Sequence, residues 1–183
     1  MKLRISYLLF ACILAGQPRL QISPESGNEL HLYVEKTGVL SGKKHDFTFT
    51  DYSGQIEPDT AVRFILKSAS IVCKDTWVSA KDLPKVTKAA TQDMLAIDKY
   101  PTVEFHSTSV KKLTDNTYEA VGPLSIRDKT KDVTVHVRQT APMTYEGSAK
   151  FKMSEFGLKP PSAALGLVGT KDEMTFVFSL KAH

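Results

Sequence analysis

Cysteine is nearly absent: Cys12 and Cys73 are the two in 183 residues, so no disulfide framework can be read from the spacing. There is one tryptophan. No apolar run approaches the roughly 20 residues that a bilayer-spanning helix needs. No Gly-rich phosphate loop, dinucleotide fingerprint or nucleophile elbow occurs, and serines such as Ser125 and Ser154 have no identifiable base, so no catalytic residue is assigned and no cofactor is expected. Dense clusters of one charge are missing too. The formal net charge is +4, with lysines scattered through the chain, which argues against nucleic acid as a partner while suiting transient contact with an anionic membrane.

What is present is an ordinary globular composition, 42% apolar and 24% charged, enough for one domain with a core. Lys2 and Arg4 precede the apolar run Ile5 to Ala15, followed by Gly16, Gln17 and Pro18. This has the form of a secretory signal, so residues 1–17 are expected to be a leader and 18–183 the folded domain, periplasmic or secreted. Leu9-Phe10-Ala11-Cys12 loosely resembles a lipobox, which makes lipoprotein anchoring through Cys12 the alternative. Cys73, ending the run Ser70-Ile71-Val72-Cys73, is expected to be a small buried hydrophobe.

The remaining pattern has period two, as strands with one face on a core require. Leu30, Leu32 and Val34 alternate with His31, Tyr33 and Glu35. Phe47 and Phe49, Val62, Phe64 and Leu66, Val103 and Phe105, Ala120 to Ile126, Val133 to Val137, and Met174 to Leu180 repeat the alternation. Turn residues separate the runs, as at Glu57-Pro58-Asp59 and Thr114-Asp115-Asn116. One segment, Pro84 to Ile97, has apolar residues near helical spacing. The expectation is an all-β, antiparallel, lipocalin-like barrel of about eight strands with one helical insertion. A barrel of that size either fills with side chains or holds one ligand.

Several segments, in order, resemble the YceI-like family of lipocalin-like polyisoprenoid-binding proteins. Asp98-Lys99-Tyr100-Pro101-Thr102-Val103-Glu104-Phe105-His106 resembles its helix-to-strand step at Tyr-Pro. Val121-Gly122-Pro123-Leu124-Ser125-Ile126 through Val133 resembles its hairpin, with Asp128 where a turn glycine is usual. Ser154-Glu155-Phe156-Gly157-Leu158 resembles its Asp-Phe-Gly-Ile segment. Lys44-His45-Asp46 resembles the branch carrying Gly-His-Asp, with Lys44 in place of glycine. The resemblance spans Glu29 to Ala182. It implies an exported carrier of a long apolar ligand, such as a polyisoprenoid, a quinone or a fatty amide, without catalysis, and it also implies pairing into a homodimer.

Strand phase then nominates the ligand contacts. Phe47, Phe49, Phe64, Phe105, Leu124, Ile126, Phe176 and Phe178 fall on the apolar phase and are expected to line the interior. His45 shares the phase of Phe47 and Phe49; it is either a polar anchor for a ligand headgroup or a histidine satisfying a buried group. In the Gly- and Pro-rich connection from Phe156 to Gly169, the apolar Phe156, Leu158, Leu165 and Leu167 either cover the ligand as a lid or cap the core. Glu104 with His106, and His136 with Arg138, share strand faces without the three or four convergent ligands that a metal requires, so no metal site is assigned. Two other functions stay open: an interaction module with a filled barrel, and a metal-assisted hydrolase.

Overall fold

The computed structural model describes residues 19–25, 27–163, 165 and 167–183. The expected leader, including Cys12, lies outside the described residues. The chain forms an antiparallel sheet of thirteen strands: β1 (Leu20–Ile22), β2 (Glu29–Gly38), β3 (Lys44–Phe49), β4 (Tyr52–Glu57), β5 (Ala61–Lys67), β6 (Ile71–Cys73), β7 (Thr102–His106), β8 (Ser109–Lys112), β9 (Thr117–Ile126), β10 (Lys129–Ala141), β11 (Thr144–Lys152), β12 (Ser162–Ala163) and β13 (Val168–Lys181).

The eight-strand expectation survives this higher count because four of the strands are two bent pairs. β3 turns into β4 across Thr50 and Asp51 alone, and β5 turns into β6 through a single 3-10 turn, Ser68–Ser70. Their pairing continues through the corner: β3 bonds to β6, β4 bonds to β5, and between them Thr50 N–H donates to the Ser70 carbonyl at 3.2 Å and Lys67 N–H to that of Asp51 at 3.0 Å. Counting each bent pair once, the ring runs β2, β3/β4, β5/β6, β7, β9, β10, β11, β13 and back to β2. Closure removes the long free edges that would template association. β1, β8 and β12 are short additions alongside β4, β9 and β13.

The helical insertion is shorter and less regular than the spacing predicts. The α-helix α1 covers Leu83–Lys88, with Pro84 in its first turn where no N–H is needed. It then widens into a π-helical turn, Ala89–Met94, and stops at Ala96, whose φ of 47° leaves the helical region. The β9–β10 turn also departs from expectation: Arg127, with φ 57°, takes the left-handed position, not Asp128. Its guanidinium sits 5.6 Å from the Tyr100 ring centroid, an attractive cation–ring placement.

The core sits inside the ring. Leu30, Val34, Phe47, Phe49, Leu66, Val103, Leu124, Ile126 and Met174 are buried in it, with Ala90 and Leu95 of the helical insertion packed at one end. Small residues face large ones across the ladder: Gly147 pairs with Phe178, Ala149 with Phe176 and Gly54 with Phe64. A Cβ on Gly147 would lie 2.4 Å from the Phe178 ring, and one on Gly54 would lie 2.6 Å from that of Phe64. These rings therefore lie against bare backbone, and their bulk stays near the wall.

Candidate functional site

Rings held against the wall leave the axis of the barrel open. A cavity of about 300 Å³ runs along it, from Ile56 and Tyr145 beside the β4–β5 and β10–β11 turns to Val86, Ala89 and Met94 of the helical insertion. Among the described residues, every one lining it is apolar except His45, Tyr145 and Thr170. Leu32, Phe64, Phe105, Phe176 and Phe178 point inward yet are only half-buried, because the surface they leave uncovered borders this cavity. Such walls reward apolar matter and offer few polar contacts to orient it.

Ten of the residues nominated from strand phase meet here: His45, Phe47, Phe49, Phe64, Phe105, Leu124, Ile126, Leu158, Phe176 and Phe178 all line the cavity. Three do not. Phe156 is 1% exposed but sits in the core off the cavity, edge-on to Phe151 at 5.8 Å between ring centroids. It closes a 3-10 turn, Met153–Phe156, whose Ser154 donates from its N–H and its hydroxyl to Asp172 at 2.9 and 2.5 Å. Leu165 and Leu167 are exposed and do not line this cavity. Leu165 adopts a positive φ of 54°, and Leu167 docks through its backbone, its carbonyl accepting from Val39 N–H at 3.0 Å, so both side chains turn outward. Among the described residues of this connection, Leu158 and Pro161 reach the cavity. Replacing Leu165 and Leu167 with serine is expected to leave the melting temperature of the ligand-free protein within about 4 °C, since each exposed side chain changes stability by roughly 0.5 kcal/mol or less and 1 kcal/mol moves the transition of a chain this long by about 2–4 °C; a calorimetric scan checks this.

Strand phase missed the polar groups beside His45. Its Nδ1 lies 2.5 Å from Oδ2 of Asp75, a carboxylate with no exposed side-chain surface, whose Oδ1 accepts from Asp46 N–H at 2.7 Å. Cys73 stands on the same inner phase, and burial pushes its thiol up to about 11. Lys36 continues the inward phase of Leu30, Leu32 and Val34 and is 8% exposed; burial lowers its pKa, and the charge of Asp75 opposes that shift. Trp77 covers the group from outside, its ring centroid 5.3 Å from that of His45 and its indole N–H donating to the Lys44 carbonyl at 2.8 Å. The available signal was period two carried past the apolar run: Ile71, Cys73 and Asp75 alternate, as do Val34 and Lys36. On the outer face, His31 Nδ1 meets Asp46 Oδ1 at 2.8 Å.

Comparison with known proteins adds to this geometry. The family model of the YceI-like domain matches residues 24–182. A UPF0312 protein of Azotobacter vinelandii is 31% identical over 127 residues, which is 61% of this chain and 62% of that protein. A UPF0312 protein of Pseudomonas putida is 29% identical over 137 residues, 63% of this chain and 65% of that protein. The matched region thus spans less than two thirds of these relatives. Among solved structures, BcnA of Burkholderia cenocepacia superposes with a TM-score of 0.64 at 21% identity, covering 84% of this chain and 94% of that one. A polyisoprenoid-binding domain from Saccharophagus degradans, implicated in plant cell wall breakdown, superposes with a TM-score of 0.60 at 11% identity, covering 89% and 97%. At such identities the likeness to solved structures is one of fold.

Proposed function

Because the chain belongs to the YceI-like family, and because its barrel encloses an apolar cavity instead of a filled core, we propose that it is a non-catalytic carrier that holds the long apolar tail of a lipid such as a polyisoprenoid, a quinone or a fatty amide. The observation that carries this reading is the cavity wall, apolar over its whole length with His45, Tyr145 and Thr170 as the exceptions. Each methylene moved from water into such a wall contributes about 0.8 kcal/mol, so roughly ten of them contribute about 8 kcal/mol toward the ordering cost of association. The binding of polyisoprenoids by the Saccharophagus degradans domain of the same fold supports this ligand class. An interaction module with a filled barrel would leave no apolar cavity along the axis.

The reading extends to place and partner. The basic and apolar segment at residues 1–17 supports export to the periplasm or beyond. Exposed Val39, Leu165 and Leu167, with Lys43 and Lys44 nearby in sequence, support brief contact with an anionic membrane during loading. One experiment tests the core of this proposal. The protein is recovered without delipidation from the periplasm of an expressing bacterium, its intact mass is measured, and its organic extract is analysed by mass spectrometry. The expected result is a chain shortened by about 17 residues, as a cleaved signal implies, and a long-chain lipid in near-stoichiometric amount. An empty extract, together with no uptake of added polyprenol or fatty amide, would overturn the carrier function, and retention of the leader in a cytoplasmic protein would overturn export.

A further inference from the structure

We propose that His45, Cys73 and Asp75 form a binding site for a single thiophilic divalent cation, zinc foremost, set in the barrel wall beside the cavity. One donor atom from each residue lies within 4.8 Å of the other two, and among the described residues these make up the one such group of three. Donors around one zinc ion, at bond lengths of about 2.0–2.3 Å, stand roughly 3–4 Å apart, so side-chain adjustments of about 1 Å or less close the set. Thiolate and imidazole are the donors that select zinc over calcium or magnesium, and zinc accepts a carboxylate as the third.

The positions of the donors come from the sheet and not from a loose surface. Phe47 of β3 is the register partner of Cys73 of β6. His45 lies two residues before Phe47 and Asp75 two beyond Cys73, so both side chains keep the inward phase and meet across the strand pair, as their 2.5 Å contact confirms. Asp75 is oriented by the Asp46 N–H on its other oxygen, the kind of supporting contact that fixes a ligating carboxylate. Without a cation, imidazole and carboxylate are held together by the proton between them. With one, the imidazole carries its proton on Nε2, the thiol releases its proton to solvent, and the ion's two positive charges are matched by the thiolate and the Asp75 carboxylate. That neutrality suits a position walled by Phe47 and Trp77. The charged groups nearby, Lys36 on β2 and Asp46 on β3, bring one charge of each sign. Three protein donors leave one tetrahedral position for water or a ligand oxygen, the arrangement of zinc sites that exchange ligands, and His45 is also part of the cavity wall.

The site does not depend on lipid binding, and its test runs on lipid-free protein. Cobalt(II) is titrated anaerobically into the reduced chain and followed by absorption, and zinc is then added as competitor. One equivalent of cobalt should produce a thiolate-to-cobalt charge-transfer band with intense tetrahedral ligand-field bands, both erased by zinc. Cys73→Ser should abolish the charge-transfer band, and His45→Gln should keep a weakened one; each should lower affinity about tenfold or more, the low end of what metal-site substitutions cost. Zinc should also raise the melting temperature of the wild type and not of Cys73→Ser. Saturation without a charge-transfer band, or affinity unchanged in both variants, would overturn the site. Using two variants on different strands guards against one of them failing to fold.

Discussion

Phe105→Asp should yield a protein that folds but no longer holds its lipid. Phe105 stands in the middle of the wall, in register with Phe64 on β5 and Leu124 on β9, and faces the cavity. A carboxylate at this point loses its hydration whenever a tail lies against it, which costs several kcal/mol, and each 1.4 kcal/mol is a tenfold change in affinity. Affinity for a fluorescent long-chain ligand is therefore expected to fall about 100-fold or more. Water can still enter the vacant cavity and solvate the charge, so the ligand-free melting temperature should fall by less than a fully packed core would dictate. Phe105→Ala is the control, removing the ring without adding charge, and its affinity should lie between the two. Wild-type binding by Phe105→Asp would mean that the tail lies elsewhere.

Phe156→Ala should do the reverse. The ring is 1% exposed, packs edge-on against Phe151 and lies off the cavity. Its removal leaves a void in close-packed core, costing about 3–5 kcal/mol, which for a chain of this length lowers the melting temperature by roughly 10 °C. Ligand affinity, measured well below the transition, should stay within about threefold, which is less than 1.4 kcal/mol. A ligand-affinity loss that exceeds the loss in stability would return Phe156 to the site.

These two phenylalanines mark how far strand phase carries. Alternation identifies Phe105 because a strand has two faces and one meets the interior. It says nothing of Phe156, which lies in a 3-10 turn, where the fold decides whether a ring meets cavity or core. The eight-membered ring was legible because each long strand alternates over several residues. The corner at Thr50 and Asp51 was not, since a bend keeps the alternation on both sides and hides one element inside another. His45 was placed from its phase with Phe47 and Phe49. Asp75 and Lys36 were not, because a charged residue on an inward phase reads as the end of a strand until its neighbours across the sheet are known. Leu165 and Leu167 mislead for the opposite reason: apolar side chains in a connection invite burial, yet here the backbone makes the contact.

The pairing of β13 with β2 sets the order of events in which this protein can be made. Glu29 and Ser179 are partners in that ladder, nearly the whole chain apart, and the β1 residue Gln21 exchanges backbone hydrogen bonds with His183 at 2.7 and 3.0 Å. Until β13 is in place, β2 and β11 each keep an unpaired edge and the inner face is open to water. Contacts this distant in sequence form slowly, and partly assembled sheets of this kind are prone to associate with one another. The apolar chamber therefore comes into being in a single late step, when β13 meets β2, and a chain interrupted before β13 has no chamber at all.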